Sequence, residues 1–495
     1  MRSPALTTLL TLPLLASNAV EAARFPRAVK GNGFLKVSVG TVDRPHKVKR
    51  DAIDTVLDNR EFFYATDIEF GTPPQTITVL VDTGSDELWI NPDCRTAATV
   101  DQVEECGTYG FYDPDKSETP PIGPFGGNEI NYGDSSRPST HTSVNFVYYT
   151  DTIALGDATI LNQTFGVATE SEGQTQGIFG LAPDFGAGFD GESPYPLVLQ
   201  SMFDQGIIDT RLFALDLRHS EAETGALIYG GIDRNKFIGG LETIPIVRGI
   251  RGEPRLGVNL DSIGLTLEDD EEGPRAYDLR GDDRNVHLDS GTTFTLLQEQ
   301  VAMPLLEALN ATEGPDGAYY VPCSQRERGG SVDFGFGEGS VTVRVPFSDF
   351  IVDLGDPDIC LVGVMITGDQ QILGDTVLRA GYFVFDWDNE AVHMAQAANC
   401  GDDDIVAVGS GGDALADITG NCDADDALFT GGPLPTATRG SGEDRGDERG
   451  GAESTQTADS DSNDDDEDDA AVPGQRMSVL LLTVGALAGG LYNSW

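Results

Sequence analysis

A short motif occurs twice in this chain and constrains its fold more than any other feature. Val81-Asp82-Thr83-Gly84-Ser85 lies early, and Leu288-Asp289-Ser290-Gly291-Thr292 lies far downstream. Each reads as an apolar strand that ends in an Asp, a small hydroxyl residue and a Gly. Two copies of one carboxylate-bearing turn predict two similar lobes, each lending a carboxylate to a shared site. Carboxylates about 3 Å apart repel by roughly 5 kcal/mol at an effective dielectric near 20, or about four pK units. Such a pair holds one proton over a broad acidic range and so makes an acid and a base from one residue type.

Around these motifs the chain reads as mostly β. Runs rich in Val, Ile, Thr, Phe and Tyr alternate with Gly, Pro, Asn and Asp turns at Thr76–Ile90, Asn145–Leu155, Phe213–Leu217, Ala226–Gly230, Ser340–Val345 and Gly381–Trp387. Helical spacing is confined to Pro196–Gln205 and Gln298–Leu309, at similar places after the two motifs. The expectation is an all-β chain with minor helices. The charged stretch Leu267–Asn285, with Glu268 to Glu272 at its centre, reads as a solvated surface loop.

The N-terminus carries Arg2, an apolar run from Leu6 to Leu15 and small residues up to Ala22, the pattern of a secretory signal peptide at 1–22. Residues 23–50 are basic, with Asp43 the one acid among Arg24, Arg27, Lys30, Lys36, Arg44, Lys47, Lys49 and Arg50. They end in the dibasic pair Lys49-Arg50, suited to a processing protease. A basic segment of this kind can act as an intramolecular inhibitor by neutralising an acidic site. Phe34–Val39 alternates like a strand that docks by strand addition, which makes Lys36 the candidate to meet the carboxylate pair. Asn162-Gln163-Thr164 and Asn310-Ala311-Thr312 are glycosylation acceptors, in keeping with a secretory route.

Net charge sets further bounds. With 82 Asp and Glu against 31 Lys and Arg, the net charge is −51. Nucleic acid is thereby excluded as a partner, because phosphate binding needs a basic surface, whereas basic peptides are favoured by the field. The six cysteines form no CxxC or His/Cys cluster, so no metal is indicated. Nearest neighbours in sequence would pair as Cys94 with Cys106, Cys323 with Cys360 and Cys400 with Cys422, although six cysteines allow fifteen pairings. Beyond Cys400, Gly, Asp, Ser and Thr dominate and Asp464–Asp469 is solidly acidic, so 401–469 reads as a disordered linker. The chain ends in an apolar run from Val479 to Leu491, short for a spanning helix. A polar spacer ahead of such a tail matches a glycolipid (GPI) anchor signal over 470–495, with Asp469-Ala470-Ala471 or Asn463-Asp464-Asp465 as the attachment site; a single-pass span is the rival.

The motifs resemble, in order, those of the pepsin-type aspartic proteases. Val81 to Trp89 is similar to the first catalytic segment, and Ile130-Asn131-Tyr132-Gly133-Asp134-Ser135 to the flap hairpin. Gly177 to Ala182 is similar to the element that crosses behind the first Asp, Leu227 to Asp233 to the lobe junction, and Leu288 to Thr293 with Ile372 to Thr376 to the second catalytic set. The resemblance covers about 51–400. It implies a bilobal fold with barrel-like lobes at 51–240 and 241–400, and a monomeric, cofactor-free endopeptidase made as a zymogen that acts on peptide or protein substrates. Asp82 and Asp289 would activate a water between them. Thr83 and Ser290 would tie the two loops together, Gly84 and Gly291 would admit a close backbone, and Ser85 and Thr292 would hold the outer carboxylate oxygens. Tyr132, Gly133, Asp134 and Thr293 would meet substrate.

Ser135 stands where the commonest flap has Gly. Asp134, the acidic surface and the anchor signal together resemble the yapsin group, cell-surface proteases that cut at basic residues. A catalytically silent binding module on the same fold, or a structural cell-wall glycoprotein with an acidic stalk, are the other readings. No Gly-x-Ser-x-Gly, His-Glu-x-x-His or phosphate loop supports a different chemistry.

Overall fold

The computed structural model describes residues 28–42 and 63–423, apart from 92–93, 95–102, 104–105, 120, 187, 190–193, 220–224, 268–274 and 357. The signal peptide, Lys49-Arg50 and the tail from 424 onward lie outside the described residues.

The described chain is mostly β. A 14-stranded sheet runs from Glu242–Pro245 through Ala391–Gln396, Gly381–Asp386, Leu212–Asp216, Gly225–Tyr229, Leu35–Val42, Phe63–Phe70 and Gln75–Asp82 to the hairpin of Ile122–Tyr132 with Thr142–Leu155. An 8-stranded sheet carries the second motif and includes Gly257–Leu267, Asn285–Leu288, Gln371–Leu373 and Thr295–Gln298. The helices at Val198–Asp204 and Glu299–Ala308 fall within the two stretches of helical spacing.

Each Asp-bearing strand has the same kind of neighbour. Gln75–Asp82 lies parallel to Gly177–Gly180, with Asp82 opposite Gly180. Asn285–Leu288 lies parallel to Gln371–Leu373, with Leu288 opposite Leu373. A strand flanked on both sides and covered on both faces is dominated by apolar residues, and Ile77, Val79, Val81, Val286 and Leu288 are fully buried. They join one hydrophobic cluster with Phe179, Leu373 and Val377, which runs beneath both motifs and fixes their turns in place.

Three expectations are corrected. First, Lys36 does not reach the carboxylate pair. Leu35–Val42 is inserted between Gly225–Tyr229 and Phe63–Phe70, and Lys36 Nζ lies 2.5 Å from Asp403. Second, the linker does not begin at 401. Ile405–Ala407 pairs with Gly231–Asp233, and the Cys400–Cys422 bridge closes the segment. Val408 and Leu415 are buried against a cluster that includes Phe237, while Asp403 and Asp404 pair with Lys36 and Arg234. Acidic composition alone hides these partners. Third, the loop read over Leu267–Asn285 contains a strand, Arg275–Asp278, which pairs with Gly257–Leu267. Its side chains are largely exposed, so a polar sequence is compatible with edge pairing.

The three disulfides are Cys94–Cys106, Cys323–Cys360 and Cys400–Cys422, the nearest-neighbour set. Asn162 and Asn310 are exposed, each in left-handed backbone (φ 52° and 50°), a conformation Asn tolerates better than most residues.

Candidate active site

Each motif turns sharply where its strand ends, and the two turns exchange hydrogen bonds. Thr83 Oγ1 donates to the Leu288 carbonyl (2.8 Å) and accepts from the Ser290 amide (2.9 Å). Ser290 Oγ donates to the Val81 carbonyl (2.9 Å) and accepts from the Thr83 amide (3.2 Å). Small hydroxyl residues are needed here because each must donate and accept inside a fully buried space.

The exchange brings Asp82 and Asp289 face to face. Both are buried, and both carboxyls lie against the point where Gly291 would carry a Cβ. The remaining contacts are matched. Gly84 N–H donates to Asp82 Oδ1 and Gly291 N–H to Asp289 Oδ1, both at 2.8 Å. Ser85 Oγ donates to Asp82 Oδ2, and Thr292 Oγ1 to Asp289 Oδ2 at 2.8 Å. Neither glycine tolerates a side chain. A Cβ on Gly84 would sit 2.5 Å from the Asp289 carboxyl carbon, and one on Gly291 would strike Asp82 Oδ1.

Burial raises the pKa of both acids. For Asp82 the hydrogen bonds from Ser85, Asp289 and Gly84 and the charge of Arg255 pull it back. For Asp289 the Asp82 charge adds to burial, and the pKa lies well above the usual range. Burial and mutual repulsion disfavour two negative charges here, so one proton is shared between the carboxyls and the two titrate as one unit. Such a pair can take a proton at one oxygen while donating one from another, with no further group required.

Tyr132 ends the strand Ile122–Tyr132. It is buried, and its hydroxyl accepts from Trp89 Nε1 at 2.7 Å. Burial, then the Asp82 charge, raises its pKa well above the usual phenol value, so it stays neutral. Gly133 has φ +109°, backbone that favours glycine, and turns Asp134 inward. Asp134 Oδ1 accepts from Ser136 N (2.8 Å) and Oγ (2.6 Å), while Oδ2 is buried without a hydrogen-bond partner among the described residues. Thr293 lies behind the second turn, where its carbonyl accepts from Thr376 N at 3.1 Å.

Sequence reasoning missed two groups of residues. At the hairpin tip, Ser135 Oγ donates to Asp369 Oδ2 and Ser136 Oγ accepts from Gly368 N at 2.9 Å, which latches the tip to the second lobe. Arg251 Nη2 donates to Asp369 Oδ1 at 2.6 Å. Burial alone would raise the Asp369 pKa, but the bonds from Ser135 and Arg251 hold it below the usual value. The departure from Gly at 135 marked the place but not the partner. The second group is Arg255 and its surroundings, which carried no sequence signal; Arg255 Nη1 contacts the Gly84 carbonyl at 3.3 Å.

Residues 63–397 match the family described as eukaryotic aspartyl protease. "Probable aspartic-type endopeptidase opsB" of Aspergillus fumigatus is 29% identical over 389 residues, covering 76% of this chain and 77% of its own. The protein of the same description from Aspergillus oryzae is 30% identical over 391 residues, with the same coverage. Candidapepsin-1 of Candida albicans is 32% identical over 387 residues, 76% of this chain and 91% of its own.

Proposed function

The chain belongs to the eukaryotic aspartyl protease family and is an aspartic endopeptidase, and on that premise we propose that Asp82 and Asp289 are its catalytic pair. The observation that carries this reading is the matched cradle: each carboxyl takes one backbone amide and one hydroxyl, and the two turns bring both carboxyls to one point. Ionised Asp82 takes a proton from a water held between the carboxyls as the water oxygen attacks the peptide carbonyl carbon. Asp289 donates its proton to the carbonyl oxygen, giving a tetrahedral diol. Collapse of the diol breaks the C–N bond: the proton taken up by Asp82 passes to the leaving nitrogen while Asp289 takes a proton from one diol hydroxyl, which becomes the carbonyl, and the pair is restored. The products are a free carboxyl and a free amine, and no covalent enzyme intermediate forms. Tyr132 and the hairpin close over the substrate and exclude water.

The substrate is a peptide carrying Lys or Arg next to the scissile bond. Two observations support this. The chain carries a net charge of −51. Asp134 Oδ2 is buried and without a hydrogen-bond partner among the described residues, a cost that an incoming cation would offset. The enzyme is made as a zymogen cut after Lys49-Arg50, follows the secretory route, is glycosylated at the exposed Asn162 and Asn310, and is held at the cell surface by a glycolipid, as in the yapsin-like group. Support for the route comes from the N-terminal apolar run, the terminal tail and relatives named as secreted aspartic proteases. Leu35–Val42, already paired within the central sheet, supports docking of the pro-segment by strand addition.

Cleavage-site profiling of the purified protein on a diverse peptide pool at several pH values tests these readings. Cutting at acidic pH, blocked by pepstatin and enriched for Lys or Arg beside the cut, is expected. Cutting without that enrichment would reject the basic preference and leave the catalytic pair standing.

A further inference from the structure

Arg255 lies just ahead of the strand Gly257–Leu267, and it is 3% exposed. A buried guanidinium is costly unless charges and hydrogen bonds meet it. Its Nε lies 3.5 Å from Glu253, and its plane lies over the Phe185 ring, 4.7 Å from the centroid. Its Nη1 donates to the carbonyl of Gly84, the residue whose amide holds Asp82. The neighbouring backbone reaches the other motif, since the Leu256 carbonyl accepts from Leu288 N at 3.1 Å, one residue before Asp289. Residues 255–256 therefore touch both catalytic turns, one through a side chain and the other through the backbone.

The charges around the pair make this contact matter. Asp86 and Glu87 follow the first turn, and the Phe185 amide donates to Asp86 Oδ2 at 3.0 Å. Asp375 lies behind the second turn, where burial raises its pKa well above the usual range and keeps it protonated; Arg379 there is engaged with Tyr64. His287, opposite Gly257 across the sheet, is held neutral by burial and then by the Arg255 charge. Tyr132 faces the pair as a neutral phenol. Glu253 is the counter-charge on the same segment as Arg255. Among these groups Arg255 is the cation that acts on Asp289, Asp86 and Asp82 together.

We propose that Arg255 is a positioning residue for the catalytic pair: it braces the Gly84 turn and supplies the positive charge that balances the single negative charge shared by Asp82 and Asp289. Its function is to let the pair ionise once in an acidic medium despite burial among other acids. The inference rests on the assignment of Asp82 and Asp289 as the catalytic pair.

The test is the pH dependence of kcat/KM for the full chain, produced and activated as the wild type is. Arg255→Gln should move both limbs of the bell to higher pH by about one unit, the size of one charge acting through partly screened protein. Arg255→Lys keeps the charge and loses the fork, so its limbs should stay near those of the wild type while kcat falls several-fold. Glu253→Gln removes the counter-charge and should move the limbs to lower pH. A folded Arg255→Gln with limbs in place overturns the inference. If Arg255→Gln does not fold, Glu253→Gln decides, and unmoved limbs overturn it. A wild type with no bell at all would instead count against the catalytic-pair assignment.

Discussion

The two Asp-bearing turns are alike for four residues and then part. Asp82-Thr83-Gly84-Ser85 and Asp289-Ser290-Gly291-Thr292 make the same bonds in the same places. At the next two positions the first turn has Asp86 and Glu87, and the second has Thr293 and Phe294. Behind them, the Ser85 carbonyl accepts from the amide of Ala182 in an apolar crossing, while its counterpart, the Thr292 carbonyl, accepts from the amide of the buried acid Asp375. The matched part is what two interchangeable carboxyls require. The unmatched part sets the acids Asp86 and Glu87 after one turn and the buried acid Asp375 behind the other, while burial raises the pKa of both Asp82 and Asp289.

The largest test of the matched part is to remove either carboxylate. Asp82→Asn and Asp289→Asn should each lower kcat/KM by about 10^4-fold, and a variant within tenfold of the wild type would break the equivalence. The next is the exchange between the turns. Thr83→Val and Ser290→Ala each strand two buried backbone groups and should cost about 2–4 kcal/mol in urea unfolding, nearly equally. A cost confined to one of them would mean that the turns do not lean on each other.

The unmatched part predicts how stability depends on pH. Burial, then the Glu87 charge, pushes Asp86 up to about 8. The folded chain then binds this proton more tightly than the unfolded chain does. Its contribution is full below about pH 4 and declines as pH rises toward 8. The thermal midpoint should fall between pH 4.5 and pH 7.5, and Asp86→Asn should flatten the decline; an unchanged slope would contradict it. Smaller still, Ser85→Ala and Thr292→Ala each remove a hydrogen bond to one carboxyl of the pair and should raise the limbs of the kcat/KM profile by about half a unit. The smallest effect is expected at the hairpin tip. Ser135→Gly releases the contact with Asp369 and should change KM by no more than about threefold, read on a peptide substrate.

Local chemistry makes the matched turns legible in the sequence. A strand that must end in a buried carboxylate, take a hydroxyl and admit a close backbone leaves almost no choice of residue, so Asp82 to Ser85 and Asp289 to Thr292 stand out. Long-range partners leave no such mark. Lys36 alternates with buried neighbours on an ordinary strand, and nothing local reveals that its ammonium meets Asp403, which lies in a stretch that composition marks as disordered. Residues 401–423 are ordered by a disulfide, a strand pairing and ion pairs, none of which composition records. Arg255 resembles any surface arginine until the fold buries it against Gly84.

That the two acids work as one unit is tested most directly by a double-mutant cycle. Single-turnover cleavage of one peptide at the wild-type optimum would be measured for Asp82→Asn, Asp289→Asn and the double variant. If the pair is one unit, the double variant is no slower than either single one. A double variant slower by a further hundredfold or more would show two carboxyls acting independently and would contradict the shared-proton mechanism.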